Sequence, residues 1–323
     1  MTTAAETERR SVSQTGRRRS PRAPQPGRAW LSLPVVIYLA VLLVLPIVLI
    51  AAYSVGLLTN TPYPPVHYSW DNWREFLPDK WLSIDTYLPL RPTSSVYFDR
   101  FKISIMITLL VSVSAVILAY PLAYFLAFVA RRHRYTLLLV MLAPFFTSYL
   151  LRVYAWSVIL PAHGTLNSLL ERIGLVDPNH PLTFFYHSKF AIGLVLAYSW
   201  IPFVALPIFV VLDNLDRRLL EAAQDLGANR FLAFLKVTLP LSLPGVIAAF
   251  VFVLIPTTGE YITPYLVGGP DDSMFGNFIY DAFATSNRWN FGAVLSLWLM
   301  MVVLVLIALS ARYLTADLRG ERA

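Results

Sequence analysis

Apolar residues fall in long runs along this chain. Six of the runs, at about 31–58, 103–130, 135–160, 190–212, 243–267 and 291–314, are each long enough for the roughly 20 helical residues that cross a hydrocarbon core. None shows the period-two alternation of a membrane barrel strand. The pattern predicts an all-α integral membrane protein with six transmembrane helices. The third run carries Arg152 near one end, where a long side chain snorkels to the interface. The fifth is interrupted by Pro256, Gly259 and Pro264, and it contains Glu260. Before the first run, residues 1–28 are rich in Ser, Thr, Pro and Arg without apolar periodicity, which predicts a disordered basic tail. The first run is long and has no small-residue cleavage site behind it, so it is expected to stay in the mature protein as a helix. The expected domain plan is a tail at 1–28, a six-helix domain at 29–318 and a C-terminal tail at 319–323.

Composition agrees with lipid as the main solvent. Of 323 residues 57% are hydrophobic and 14% charged, whereas a soluble domain carries about 25% charged residues. The absence of Cys excludes a disulfide framework, a thiolate metal site and a Cys nucleophile. A net charge of +7 would suit nucleic acid or anionic lipid, but its placement points to topology instead. Of the 26 Lys and Arg, 17 lie in the N-terminal tail, the 131–134 loop, the 213–242 loop and the C-terminal tail. Eight lie in the alternate loops, and Arg152 lies within a run. Positive residues mark the cytoplasmic side, so both termini are expected to be cytoplasmic. The long 59–100 and 162–189 segments, rich in Trp, Tyr, Pro and Asp, then face outward.

The 213–242 loop is the most patterned polar segment. Asp216 is placed to cap a short helix on which Leu215, Leu219, Ala223 and Leu226 recur at helical spacing, and Gly227 to end it. Asn229 starts a second helix, which Pro240 and Pro244 are expected to stop before the membrane. On physics alone, this helix–turn–helix either rests on its own protein as an amphipathic hairpin or offers a surface where small Ala222 and Ala223 let a partner approach.

The run Glu221-Ala222-Ala223, with Asp225 and Gly227 behind it and Leu239-Pro240 further on, resembles the EAA loop of bacterial ABC-type importer permeases. It also lies before the penultimate membrane run, as in that family. Narrower segments are similar to the polyamine (spermidine/putrescine) permeases. These are the segment from Pro144 to Tyr154, Gly164-Thr165-Leu166-Asn167 followed by a Gly174-Leu175 turn, and the segment from Gly259 to Gly269. Permeases for opines, phosphonates or ferric iron share some of them. The resemblance covers roughly 101–318. It implies the type I ABC importer transmembrane fold in a bacterial inner membrane, with the loop docking as a coupling helix on an ATPase subunit. The implied partners are a second homologous permease, two ATP-binding subunits and a periplasmic or lipid-anchored solute-binding protein.

For the cargo, Glu260 is the first candidate, because an ionised carboxylate in a membrane helix must face protein, water or a partner charge. Tyr261 and Tyr265 follow it and offer aromatic faces to a cation. Two readings stand: Glu260 lines the substrate pathway, or it is a structural carboxylate held by Arg152 or a helix terminus. Asp281 and Trp289, in the outward segment before the last run, touch substrate or binding protein, or belong to a solvated loop. No G-x-x-x-x-G-K-[ST] phosphate cradle and no H-E-x-x-H spacing occur. The chain is therefore expected to be a permease without catalytic residues, metal or cofactor, dependent on a separate ATPase. A secondary transporter would show inverted repeats or several membrane carboxylates, and a membrane enzyme a polar cluster at one face.

Overall fold

The structure, a computed structural model, describes residues 29–60, 69–76, 96–177 and 180–320. The expected tail at 1–28, most of the 59–100 segment and residues 321–323 lie outside the described residues. Among the described residues every regular element is helical. The chain divides into two compact units, Met1–Leu49 and Ile50–Ala323.

The first unit is described only through α1 (Ala29–Ser54), which runs on into the second. Every side chain from Leu33 to Pro46 is exposed, and the helix is apolar on all sides, as a helix solvated by lipid must be.

The second unit is built on α3 (Val96–Tyr124), α7 (Lys189–Asp213) and α10 (Leu239–Thr258). Lipid gives helices no hydrophobic reason to associate, so close packing of small residues does that work. On α3 the stripe Ala115, Ala119 and Ala123 is fully buried, with Ser104, Thr108 and Ser112 continuing the same face. Ile192, Val195, Leu196, Ala205 and Ile208 of α7 and Ala249 and Val253 of α10 fill the space against it. On that face the Ser112 hydroxyl donates to the Thr108 carbonyl and the Ser104 hydroxyl accepts the Phe275 N–H, while the buried Thr108 hydroxyl is left without a partner.

Four helices are long and apolar enough to cross a membrane besides α1: Tyr97–Val129, Lys189–Asp213, Arg230–Thr258 and Trp289–Arg312. The last belongs to α13 (Trp289–Gly320), which continues past the expected start of a C-terminal tail at 319. The third apolar run departs from expectation. It is a pair of helices, α4 (Arg134–Leu142) and α5 (Tyr149–Ile159), bent by 81°. Between them Pro144 sits in a 3-10 turn (Ala143–Phe146), and Thr147 is extended with its hydroxyl on the Pro144 carbonyl at 2.5 Å. Arg152 does not reach outward there; its guanidinium folds back over the Phe145 ring, 4.2 Å from the centroid.

The fifth run also differs, at both ends. The helix α9 (Arg230–Ala233) is not stopped by Pro240: it passes through a π-turn (Phe234–Thr238) straight into α10. The widened turn relieves the clash a proline ring makes with the carbonyl four residues earlier. At the far end α10 stops at Thr258, and a separate short helix, α11 (Ile262–Val267), completes the run.

In the segments expected to face outward, α2 (Asp71–Phe76) buries Phe76 against Phe275 and Trp298. Its Glu75 pairs with Arg288, whose pKa that hydrogen bond holds above the ordinary arginine range. The helix α6 (Thr165–Arg172) is tied down by Asn167, fully buried. Its amide donates to the carbonyls of Pro161 and Leu182 at 3.1 Å each and accepts from the Leu182 N–H at 3.0 Å.

Candidate functional site

The loop at 213–242 forms the predicted pair of helices. Helix α8 (Arg217–Asp225) starts at Asp216, whose carboxylate accepts the Arg218 N–H at 3.0 Å. It ends in a Schellman motif: Gly227 N–H donates to the Gln224 carbonyl at 2.9 Å and Ala228 N–H to that of Ala223 at 3.0 Å. Gly227 takes φ +89°, a region closed to most side chains. Asn229 then caps α9, accepting the Leu232 N–H at 2.8 Å. Both helices are thus closed by local hydrogen bonds, yet their larger apolar residues are not covered. Leu219 is 48%, Phe231 69% and Leu226 90% exposed, and no residue of α8 is buried. Glu221, Ala222, Asp225 and Pro240 are exposed as well, and Ala223 and Leu239 half-buried.

The second candidate region is the break between α10 and α11. One Glu260 oxygen accepts the N–H groups of Ile262 and Thr263, at 2.9 and 3.1 Å, so the carboxylate closes the start of α11. The Tyr149 hydroxyl at the head of α5 shares a hydrogen bond of 2.7 Å with Thr263. No ion pair joins Glu260 to Arg152 among the described residues. Helix α12 (Phe275–Tyr280) packs against the break. A Cβ at Gly276 would fall 2.6 Å from the carbonyls of both Gly259 and Glu260, so only glycine permits that approach. The buried Asn277 amide donates to the Tyr261 carbonyl at 2.9 Å.

This packing leaves an open cavity of about 690 Å³ lined by Gly259, Tyr261, Tyr280, Phe283, Ser296 and Met300 among others. The Tyr261 and Tyr280 rings stack with centroids 5.0 Å apart, and Tyr265 meets Tyr280 edge-on at 6.2 Å. The lining is mainly apolar and offers the aromatic faces of Tyr261, Tyr280 and Phe283 to a soft cation, while half-buried Glu260, next to Tyr261 in the chain, is not among the lining residues.

Residues 102–319 match the family described as "Binding-protein-dependent transport system inner membrane component". The chain belongs to that family. It is an inner-membrane permease subunit, and its sequence is 34% identical over 221 residues to the spermidine/putrescine transport system permease protein PotB of Escherichia coli (strain K12). That match covers 68% of this chain and 78% of the relative. The PotB of Haemophilus influenzae is 35% identical over 196 residues, covering 61% of this chain and 68% of that one. Among solved structures, a bacterial alginate ABC transporter in complex with an alginate-bound periplasmic protein superposes with a TM-score of 0.63 at 17% identity. That superposition covers 88% of this chain and 93% of that one, and it shows the fold alone.

Within the permease, the structure brings Tyr261 onto the cavity wall with Tyr280 and leaves Tyr265, 68% exposed, at its side. Asp281 and Trp289 are not among the lining residues. Asp281 is exposed and begins a π-turn (Asp281–Thr285); Trp289 packs its ring against Tyr53 and Phe283, each at 5.8 Å. Sequence reasoning missed Tyr280, Phe283 and Tyr149, whose part in the site depends on packing between distant helices.

Proposed function

We propose that this permease is one of two membrane subunits of an ABC importer for a polyamine or a similar small cation. In this reading residues 213–242 dock on an ATP-binding subunit. The complete assembly holds this chain, a second homologous permease, two ATP-binding subunits and a periplasmic or lipid-anchored solute-binding protein. ATP hydrolysis sits in the partner subunits, and this chain contributes the pathway without a cofactor or metal of its own. In this reading the chain crosses six times, with the bent α4–α5 pair as one crossing and both termini cytoplasmic, so that the loop faces the ATP-binding subunits; the concentration of Lys and Arg on that side supports it.

The observation that carries the docking role is the uncovered apolar set Leu219, Leu226 and Phe231 on a hairpin whose backbone is already closed. A hairpin merely resting on its own protein would bury those residues; an exposed apolar patch of this kind fits a partner surface. Support for the cargo comes from relatives named for spermidine and putrescine and from the stacked tyrosines beside Glu260. In this reading Glu260, Tyr261 and Tyr265 line the route, while Asp281 and Trp289 belong to the outer face that meets the binding protein.

The test is uptake of radiolabelled spermidine or putrescine by membranes carrying the full assembly. Gly227→Asp puts a side chain at φ +89°, a strain of about 1 kcal/mol or more, and Glu221→Arg reverses a charge on the docking face. Both variants are expected to insert normally, to lose co-purification with the ATP-binding subunits and to lose uptake. Wild-type uptake in both would remove the loop from the docking role.

A further inference from the structure

The coupling loop does not hang from α7 and α10 alone. At its root Asp213, the last residue of α7, pairs with Arg134, the first residue of α4. The two side chains are 18% and 26% exposed, so the pair is better shielded from water and salt than an ordinary surface bridge. The next helix adds a second attachment. Arg217, at the start of α8, donates to the Ala127 carbonyl at 3.2 Å and lies 5.3 Å from the centre of the Phe128 ring. Both partners belong to the π-turn (Phe125–Val129) that ends α3. A cation on the last carbonyls of a helix is favourably placed against the helix dipole.

The returning arm of the loop is attached to the same end of α3. Phe234, which opens the second π-turn, meets Tyr120 and Tyr124 edge-to-face at 5.8 Å each. The Tyr120 hydroxyl shares a 2.9 Å hydrogen bond with Ser242. Of these attachments the Arg134–Asp213 pair alone ties the loop to the bent pair. The pair is attached again at its bend. Tyr149, immediately past the bend, holds Thr263 of α11, and α11 begins at the Glu260–Tyr261 break beside the cavity.

We propose that the bent pair α4–α5 is a lever, with Arg134 and Tyr149 as its two positioning residues. Arg134 takes the displacement of the coupling loop through Asp213, and Tyr149 delivers it to α11 through Thr263. Movement of the loop then changes the cavity wall at Tyr261 without any contact between loop and cavity. This inference rests on the docking role proposed for residues 213–242.

The experiment is charge reversal in the full assembly: Arg134→Asp, Asp213→Arg, and the two together. Co-purification of the ATP-binding subunits, ATP hydrolysis stimulated by the loaded binding protein, and spermidine uptake are read on the same preparations. Each single variant is expected to keep its ATP-binding subunits and to lose about tenfold in uptake per ATP hydrolysed. The double variant, with the pair restored in reverse, is expected to recover most of that ratio. Tyr149→Phe, which removes one hydroxyl and leaves the ring, is expected to lower the same ratio with α4 untouched. Unchanged ratios in the single variants and in Tyr149→Phe overturn the lever. So do single variants that lose the ATP-binding subunits, which would make Arg134 and Asp213 docking residues. If the unaltered permease fails to retain those subunits, it is the docking role that falls, so the two failures are distinguishable.

Discussion

At position 260 a carboxylate sits where a helix is interrupted, and one of its oxygens already takes two backbone N–H groups at the start of α11. That contact explains how a membrane segment tolerates the residue: the charge lies at the positive end of a helix, and its desolvation is offset by hydrogen bonds. It also means that loss of function on removing Glu260 would be ambiguous, because a cap and a charge would vanish together. Glutamine separates the two. Glu260→Gln keeps a carbonyl oxygen to accept from Ile262 and Thr263 while removing the charge, whereas Glu260→Ala removes both. If the carboxylate faces a cationic cargo, Glu260→Gln is expected to cost on the order of tenfold or more in polyamine uptake, since hydrogen bonds to charged groups contribute about 1.5–3 kcal/mol. Its thermal unfolding in detergent should match the wild type, while Glu260→Ala should lose a further 1 kcal/mol or so of stability, the usual worth of a cap. Unchanged uptake in Glu260→Gln would leave the residue with the cap alone.

Among elements, what could be read from the chain depended on how local the cause was. The α8–α9 hairpin was legible because Asp216, Gly227 and Asn229 act on backbone groups within a few residues. The continuation of α9 through Pro240 was not, because it runs through a π-turn, and the Phe234 that opens that turn packs on Tyr120 and Tyr124 of another helix. The bend at Thr147 was hidden for a different reason. The residues on both sides are equally apolar, so hydropathy runs on unbroken while the backbone turns by 81°. The cavity was half legible, since Tyr261 follows the visible break but Tyr280 reaches it only through α12. Helix α2, outside the residues that match the family, shows the same dependence on distant contacts. It is anchored by Phe76, 1% exposed, with its ring centre 5.3 Å from that of Trp298. Phe76→Ala should therefore release α2 at a cost of about 3 kcal/mol, which amounts to roughly hundredfold faster hydrogen exchange of the 69–76 amides. Protection equal to that of the wild type would show that the Glu75–Arg288 pair holds the segment alone.

For the molecule as a whole, the decisive question is whether the bent α4–α5 pair crosses the bilayer. Five single helices are long enough to span, and the pair makes a sixth crossing only if its two arms reach opposite faces. If the pair instead entered and left by one face, the protein would cross five times and its termini would lie on opposite sides. Charge argues for the crossing. Arg131 and Arg132 precede the pair, which opens on Arg134, whereas the segment after it carries only Arg172 before α7 opens on Lys189. The chain has no Cys, so single cysteines can be introduced without removing any native thiol. Arg132→Cys and Leu175→Cys bracket the pair, and Asn214→Cys and Thr285→Cys bracket the next turn of the topology. All four positions are exposed, Leu175 at 71%. With six crossings a membrane-impermeant thiol reagent labels positions 175 and 285 in intact spheroplasts and reaches 132 and 214 only after lysis. A re-entrant pair would instead give positions 132 and 175 the same behaviour. Either result leaves transmission to its own charge-reversal test, because Arg134 and Tyr149 both precede the body of α5 and keep their contacts with Asp213 and Thr263 in both topologies.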